Sequence, residues 1–319
     1  MNDFQRKVIF IVGPTASGKS ELAVALARKL GGEVISADSM LVYKGMDIGT
    51  AKLSRAARGG VPHHGIDLIS PDKNFSVFAY RRYALKTIAE VRKRRKIPIV
   101  AGGTGFYIRA LLEGLSPRPG ANLSIRRKLE AEALQKGLPA LYERLFKVDP
   151  DRARAIGPYN QRRIIRALEI YELSGQRPSQ EQEKSPGLQA LGYEPVVIGL
   201  HRDRQALYEK IDRRVDRMFR KGLVREVKRL MRGRISQTAL QGVGYKEVVN
   251  LLEPQGRQKP PAAAIKDVKA KIQQATRHFA KRQWTWFKRE KGIRWVWWPE
   301  GVPVSKVVHC ILNMTRDKK

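Results

Sequence analysis

Apolar positions recur along the chain with two periods, and the switches between them lay out its elements. Val8-Ile9-Phe10-Ile11-Val12 is an unbroken run of β-branched and aromatic residues, the pattern of a strand buried on both faces. Glu33 to Ala37, Ile97 to Ala101 and Pro195 to Leu200 read the same way, and Trp295 to Trp298 makes a final short strand. Between these runs the period lengthens to that of a helix. Leu22, Ala25, Leu26, Ala27 and Leu30 recur at 3–4 spacing until Gly31-Gly32 stops them. A second helix is expected over residues 75–96, with Phe78, Tyr83, Leu85, Ile88 and Val91 on its buried side. Leu207 to Met231 reads as one helix buried through Ile211, Val215, Met218 and Leu223. Ala262 to Lys291 reads as another, with Ile265, Val268, Ile272, Ala275, Phe279 and Trp286 as its stripe.

Leu115-Ser116-Pro117-Arg118-Pro119-Gly120 breaks this alternation, and past it the strand signal disappears. Helical patterns take over at Ile125 to Lys136, Pro139 to Val148 and Gln161 to Leu173, before Pro195 restores a strand. A helical block between strands of one sheet is an insertion. The expected domains are a core of residues 1–120 and 196–319 and an all-helical insertion of residues 121–195. No repeats, heptads or low-complexity segments occur.

The turn between the first strand and first helix carries the chemistry. Gly13-Pro14-Thr15-Ala16-Ser17-Gly18-Lys19-Ser20 fits G-x-x-x-x-G-K-[ST], in the strand–loop–helix context that makes the pattern a phosphate cradle. Backbone N–H groups and a helix N-terminus face an anion there, Lys19 adds a point charge, and the Ser20 hydroxyl can ligate Mg²⁺. The fold class is therefore α/β: a P-loop NTPase-like parallel sheet with helices on both faces and an inserted all-helical domain. It binds a di- or triphosphate. In a parallel sheet, ligands lie beyond the carboxyl ends of the strands, which brings Asp38 close to that loop. Asp38-Ser39 is equally good turn chemistry, so the residues alone leave both roles open. The third strand ends in Gly102-Gly103-Thr104-Gly105, where a motor or GTPase would often have an acid. Val42 to Lys52 is a glycine-punctuated loop whose glycines and Lys52 could line a ligand. His63-His64, without further ligands at metal spacing, reads as a pair of loop histidines.

Charge enlarges the picture. The 319 residues include 63 Lys and Arg against 30 Asp and Glu, a formal net charge of +33. Residues 1–120 carry +11 (20 basic, 9 acidic), residues 121–196 only +3 (13 and 10), and residues 197–319 carry +19 (30 and 11). This points to a polyanion larger than a nucleotide. Arg92 to Lys96 reads as a solvated helix end, and Arg162, Arg163 and Arg166 as a solvated face. Cys310 stands alone, which excludes an internal disulfide or a cysteine-based zinc site and fits a reducing cytosol. The start contains Asp3 and no apolar run long enough to cross a membrane. A soluble, cytoplasmic monomer is expected.

Together these motifs resemble the tRNA dimethylallyltransferases, also called tRNA isopentenyltransferases. The resemblance runs through most of the chain: Gly13 to Ser20, Asp38-Ser39, Tyr43 to Lys52, Gly102-Gly103-Thr104 and Arg166-Ala167-Leu168-Glu169. It continues through Gly244-Tyr245-Lys246-Glu247 and Lys281-Arg282-Gln283-Trp284-Thr285-Trp286. It implies prenyl transfer from dimethylallyl diphosphate to the exocyclic amine of the adenine just 3′ of the anticodon in tRNA. By the same resemblance Gly13 to Ser20 hold the diphosphate, with Mg²⁺ on Ser20, and Asp38 is the general base. Lys19 and Arg214 neutralise the leaving group, and Thr104 meets the flipped base or lines the channel that it enters. Asp38, Ser39, Met40 and Leu41, then Arg162, Arg163, Ile164, Ile165 and Arg166, match tRNA-contacting stretches, with Arg126 a further contact. Phe78-Ala79-Tyr80 and Pro158-Tyr159-Asn160 depart from the family pattern, outside the chemical core. There is no C-terminal Cys/His zinc module, which places the chain nearer the bacterial type.

Rival readings keep the phosphate loop and change the chemistry. A small-molecule kinase would use Asp38 toward an alcohol; a second prenyltransferase reading takes free adenine nucleotides as its acceptor; a non-catalytic RNA-binding protein would use neither Lys19 nor Asp38.

Overall fold

The computed structural model describes residues 6–180, 183–255 and 260–315; Asp3 lies outside them. The chain forms two compact units, Met1–Glu113 with Gly187–Lys319, and Gly114–Pro186. The second unit begins and ends earlier than the pattern implied. Leu188, expected in the insertion, is fully buried in the core of the first unit.

In the first unit β1 (Lys7–Val12), β2 (Glu33–Ser36), β3 (His63–His64), β4 (Pro98–Gly102), β5 (Glu194–His201) and β6 (Arg294–Trp297) form one sheet of order β3-β2-β4-β1-β5-β6. Every pairing is parallel. All six residues of β1 are buried, as its unbroken apolar run requires, and Ile9 lies beside Ile99 of β4 and Val196 of β5. Successive side chains alternate between the faces. Ile9 and Ile11 pack with Leu22 and Leu26 of α1 (Lys19–Leu30) and with Val307 and Ile311, which lie on the last helix described. Val8, Phe10 and Val12 pack on the other face, with Tyr80, Ile88, Ile108 and Phe287. Burying each such side chain is worth about 1.5–3 kcal/mol, which makes this sandwich the scaffold for the loops at its edge.

The remaining helices of this unit are α2 (Arg55–Arg58), α3 (Val77–Lys93), α4 (Gly105–Leu112), and, after the second unit's three, α8 (Arg204–Lys221), α9 (Leu223–Leu230), α10 (Tyr245–Leu252), α11 (Ala262–Lys288) and α12 (Val304–Thr315). The helix expected over Leu207 to Met231 is two, because Gly222 at φ 97 turns the chain between α8 and α9. A third apolar cluster joins Val42, Tyr43 and Met46, from the glycine-punctuated loop, to Val215, Val227, Tyr245 and Ile272. That loop is therefore packed rather than solvated. His63-His64 form an edge strand rather than a loop, and His64 Nε2 lies 2.7 Å from Glu33 Oε2. Among the described residues no helix is long and apolar enough to cross a membrane.

The second unit contains α5 (Leu123–Val148), α6 (Pro150–Ile156) and α7 (Gln161–Ser174) around a core of Leu129, Leu141, Leu145, Ile164 and Leu168. The two helices expected at its start run on as α5, broken at Gly137 (φ 82, ψ 159).

Candidate functional site

The loop after β1 and the N-terminus of α1 open onto a cavity of about 960 Å³ at the carboxyl edge of the sheet. Thr15, Ala16, Gly18, Lys19 and Ser20 line it, as do Asp38 and Leu41 from the segment after β2 and Gly102 and Gly103 from the end of β4. Gly18, the N-cap of α1, sits at φ 101, a conformation that side chains rarely adopt. Gly102 is required by proximity: a Cβ there would stand 2.1 Å from Ala37 O, a backbone atom. At Gly103 a Cβ would displace the Gln283 side chain, 2.2 Å away. Gly13, Pro14 and Ser17 are buried behind the loop.

Lys19 and Arg214 are among the cations that line this cavity. Lys19 Nζ donates to Pro14 O at 2.6 Å, and burial pushes its pKa down to about 7, against the opposing pull of Asp38 and with a smaller push from Arg214. Arg214, on α8, donates to Thr15 Oγ1 at 3.2 Å and Thr50 O at 3.0 Å, while its buried Nε has no protein partner. Burial lowers its pKa as well. Both cations are held without a full set of acceptors, an arrangement that favours an incoming polyanion. Arg202, Lys210, Arg213, Arg217 and Lys221 extend the basic lining.

Asp38 does both things its residue type allowed. Its Oδ1 accepts from Met40 N at 2.9 Å, a turn bond, while the side chain lines the cavity and its charge acts on Lys19 and Arg214. Thr104 is not in the cavity wall. Its Oγ1 accepts from Ser39 N at 3.0 Å and its N–H donates to Ala37 O at 3.1 Å, so it braces the Asp38-Ser39 turn. Lys52 is also a brace: its Nζ lies 2.6 Å from both Asp47 Oδ1 and Asp67 Oδ1.

Several residues that build the site carried no role in the sequence. Gln283 accepts from Thr15 N at 2.8 Å and donates to Gly103 O at 2.9 Å, tying the phosphate loop to the end of β4. The Thr15 amide is thus engaged by Gln283 and not free to cradle phosphate. Gln283 is only 7% exposed, and it belongs to a buried stripe of Val268, Ile272, Ala280, Gln283 and Phe287. The expected stripe ran through Ala275, Phe279 and Trp286, which are only partly buried. α11 serves three apolar clusters and the phosphate loop in turn, so no single period describes it. Arg202 donates to Ser17 O at 2.7 Å and lies over the Trp298 ring, supporting the loop from behind. The signals for Gln283 were its place in the Lys281 to Trp286 stretch of the family pattern and a polar residue inside an apolar stripe, neither of which gave it a role.

In the second unit the expected RNA-contacting residues divide. Arg162 and Arg163 are exposed, but Ile164 and Ile165 are buried in the unit's own core, so their side chains are packing residues. Arg126 and Arg166 lie 2.9 and 2.6 Å from the fully buried Glu169 carboxylate, whose burial demands these partners. Both arginines are structural cations first.

The Lys19 environment makes a proton-linked prediction. Above about pH 7 the empty site holds Lys19 largely neutral, and a bound diphosphate favours its charged form. Binding of inorganic diphosphate at pH 8 is therefore expected to take up close to one proton more than in Lys19→Ala (about 1, from a single lysine), with a smaller difference at pH 6. Calorimetry in buffers of different ionisation enthalpy measures this. The same value in Lys19→Ala as in the unsubstituted protein would remove Lys19 as the source.

Comparison with known proteins gives a consistent result. The family model described as IPP transferase matches residues 41–290, and that described as isopentenyl transferase matches residues 6–58. The tRNA dimethylallyltransferase of Geobacter sulfurreducens is 44% identical over 295 residues, 92% of each chain. That of Pelotomaculum thermopropionicum is also 44% identical over 295 residues, 91% of this chain and 90% of the relative. The full-length tRNA isopentenylpyrophosphate transferase of Bacillus halodurans superposes with a TM-score of 0.69 at 39% identity, covering 97% of this chain and 95% of that one. A eukaryotic dimethylallyltransferase acting on tRNA gives a TM-score of 0.76 at 28% identity, covering 98% of this chain and 81% of its own.

Proposed function

Since this chain belongs to the IPP transferase family, with tRNA dimethylallyltransferases as its curated relatives, we propose that it transfers a dimethylallyl group from dimethylallyl diphosphate to tRNA. The acceptor is the exocyclic N6 amine of the adenine 3′-adjacent to the anticodon, and diphosphate is released. The observation that carries the assignment of roles is that Asp38, Lys19 and Arg214 share one cavity beside the phosphate loop.

In this reading the loop from Gly13 to Ser20 receives the diphosphate, with Lys19 and Arg214 opposing its charge. The C–N bond forms as the C–O bond to diphosphate breaks, and that electron pair leaves with the diphosphate. The amine proton passes to the Asp38 carboxylate. A positioned base matters because an aromatic amine is a weak nucleophile. An adenine in a stacked loop must leave the stack to reach the cavity. Ser39 and Thr104 hold the turn that carries Asp38, and Met40, Leu41, Arg162 and Arg163 are proposed to meet the tRNA.

The site suits Mg²⁺ that arrives with the donor. Ser20, exposed in the first turn of α1, offers a hydroxyl, and among the described residues no cluster of His, Cys, Asp or Glu is built to hold a metal alone. Mg²⁺ commonly binds through one or two protein groups plus substrate phosphates, and it would add charge neutralisation at the leaving diphosphate. A tRNA substrate and a lone cysteine support the cytoplasm as its location.

The deciding test incubates the protein with tRNA, dimethylallyl diphosphate and Mg²⁺, then digests the tRNA for mass spectrometry. The expected result is one adenosine, next to the anticodon, carrying a dimethylallyl group in place of a hydrogen. Unmodified tRNA together with phosphorylation of a small alcohol from ATP would overturn the assignment in favour of a kinase.

A further inference from the structure

Glu226, on α9, is a buried acid, 5% exposed, with no place in the chemistry above. Among the described residues it forms no ion pair. Instead its carboxylate collects consecutive backbone amides of the loop that follows Tyr43. Oε2 accepts from Asp47 N at 3.0 Å and Ile48 N at 2.8 Å, and Oε1 accepts from Gly49 N at 3.1 Å. The Tyr245 hydroxyl of α10 donates to the same Oε1 at 2.7 Å. Burial and the neighbouring Glu226 push the Tyr245 pKa far above its ordinary value, so this hydroxyl remains a donor at any working pH. Two further contacts hold the loop in place. Arg229, one turn along α9, donates to Gly45 O at 2.9 Å, and the Tyr245 ring packs so closely on Gly49 that a Cβ there would meet it at 2.5 Å.

The clasped loop leads directly into the cavity. Thr50, the next residue, turns its carbonyl to Arg214 Nη2, and Asp47, Ile48, Thr50 and Lys52 line the wall. Arg214 is otherwise tied only to Thr15 of the phosphate loop among the bonds described here. The position of its guanidinium therefore depends on where the Thr50 carbonyl sits, and that depends on the amides bound by Glu226.

We propose that Glu226 is a positioning residue for the diphosphate end of the cavity, acting through the loop from Asp47 to Thr50 on Arg214. This rests on the reading of the cavity as the prenyl-donor site. Its substrate signature follows from the path: the donor, which Arg214 faces, is affected, and the tRNA is not.

The test uses full-length E226Q, E226D, Y245F and G49A, with inorganic diphosphate and Mg²⁺ as the calorimetric probe and steady-state kinetics on both substrates. In E226Q one side of the carboxylate becomes an NH₂ that faces N–H donors whichever way it is turned. Diphosphate affinity is expected to fall about tenfold, and the KM for dimethylallyl diphosphate to rise by about as much, with the KM for tRNA within about twofold. E226D, which keeps the charge, is expected to recover part of the loss, and Y245F, which leaves every amide bound, to lose about twofold. G49A disturbs the same loop from the Tyr245 side and is expected to match E226Q. The double variant should then be no worse than the poorer single one, since both act on one element. Wild-type diphosphate affinity in folded E226Q and G49A overturns the inference, as does an equal rise in both KM values. If E226Q fails to fold, G49A and Y245F carry the same comparison. Failure of the unsubstituted protein to bind diphosphate would instead overturn the donor-site reading itself, a separate result.

Discussion

Asp38→Asn is expected to slow prenyl transfer to tRNA by about 10²–10⁴-fold in single turnover, the usual contribution of a positioned general base. The substitution is well controlled by the structure. Asp38 Oδ1 accepts from Met40 N, and the asparagine carbonyl can keep that bond, so the turn after β2 should survive. The carboxylate also favours the charged forms of Lys19 and Arg214, so the rate must be read at saturating donor to separate basicity from donor binding. Binding of tRNA should stay within a fewfold of the unsubstituted protein. A single-turnover rate within a fewfold as well would remove Asp38 from the mechanism.

Lys19→Ala should give the complementary pattern. Lys19 stands at the first turn of α1 with its amine against Pro14 O, placed to meet an anion on the loop. Preorganised charges of this kind are typically worth about 10²–10³-fold. Affinity for dimethylallyl diphosphate and for inorganic diphosphate should fall by that order, and turnover at saturating donor should fall too, because the charge that develops on the leaving group loses a partner. Binding of tRNA alone should be unaffected. A Lys19→Ala protein that binds diphosphate normally would mean the anion rests elsewhere in the cavity, among Arg202, Arg213 and Arg217.

These two residues were legible from the sequence for different reasons. Lys19 stands in a motif whose geometry is local: a strand, a tight turn and a helix N-terminus settle where the side chain goes. Asp38 could be placed near the loop because a parallel sheet gathers the ends of its strands. That placement could not separate a turn aspartate from a cavity carboxylate, and the structure makes it both. Arg126 and Arg166 show the opposite case. Arg166 matched a tRNA-contacting stretch and Arg126 a further contact; that both also pair with buried Glu169 could not be read, because a buried acid cannot be told from an exposed one by its letter.

The sequence by itself determined five of the six strands, the long helices of the core, the phosphate loop, the presence of a helical insertion and the family. Each is written in short-range periodicity or in motifs of fixed spacing. Tertiary structure alone decided which polar groups hold the site together: Gln283 joins the phosphate loop to β4 across 268 residues of separation from Thr15, and Glu226 reaches Ile48 across 178. It also decided that the glycine-punctuated loop is a packed wall of the cavity, and that α11 buries different faces along its length. The physical reason is the same throughout. Periodicity reports which side of an element avoids water, whereas a buried polar side chain is positioned by the partner that satisfies it, and that partner arrives only when distant segments fold together.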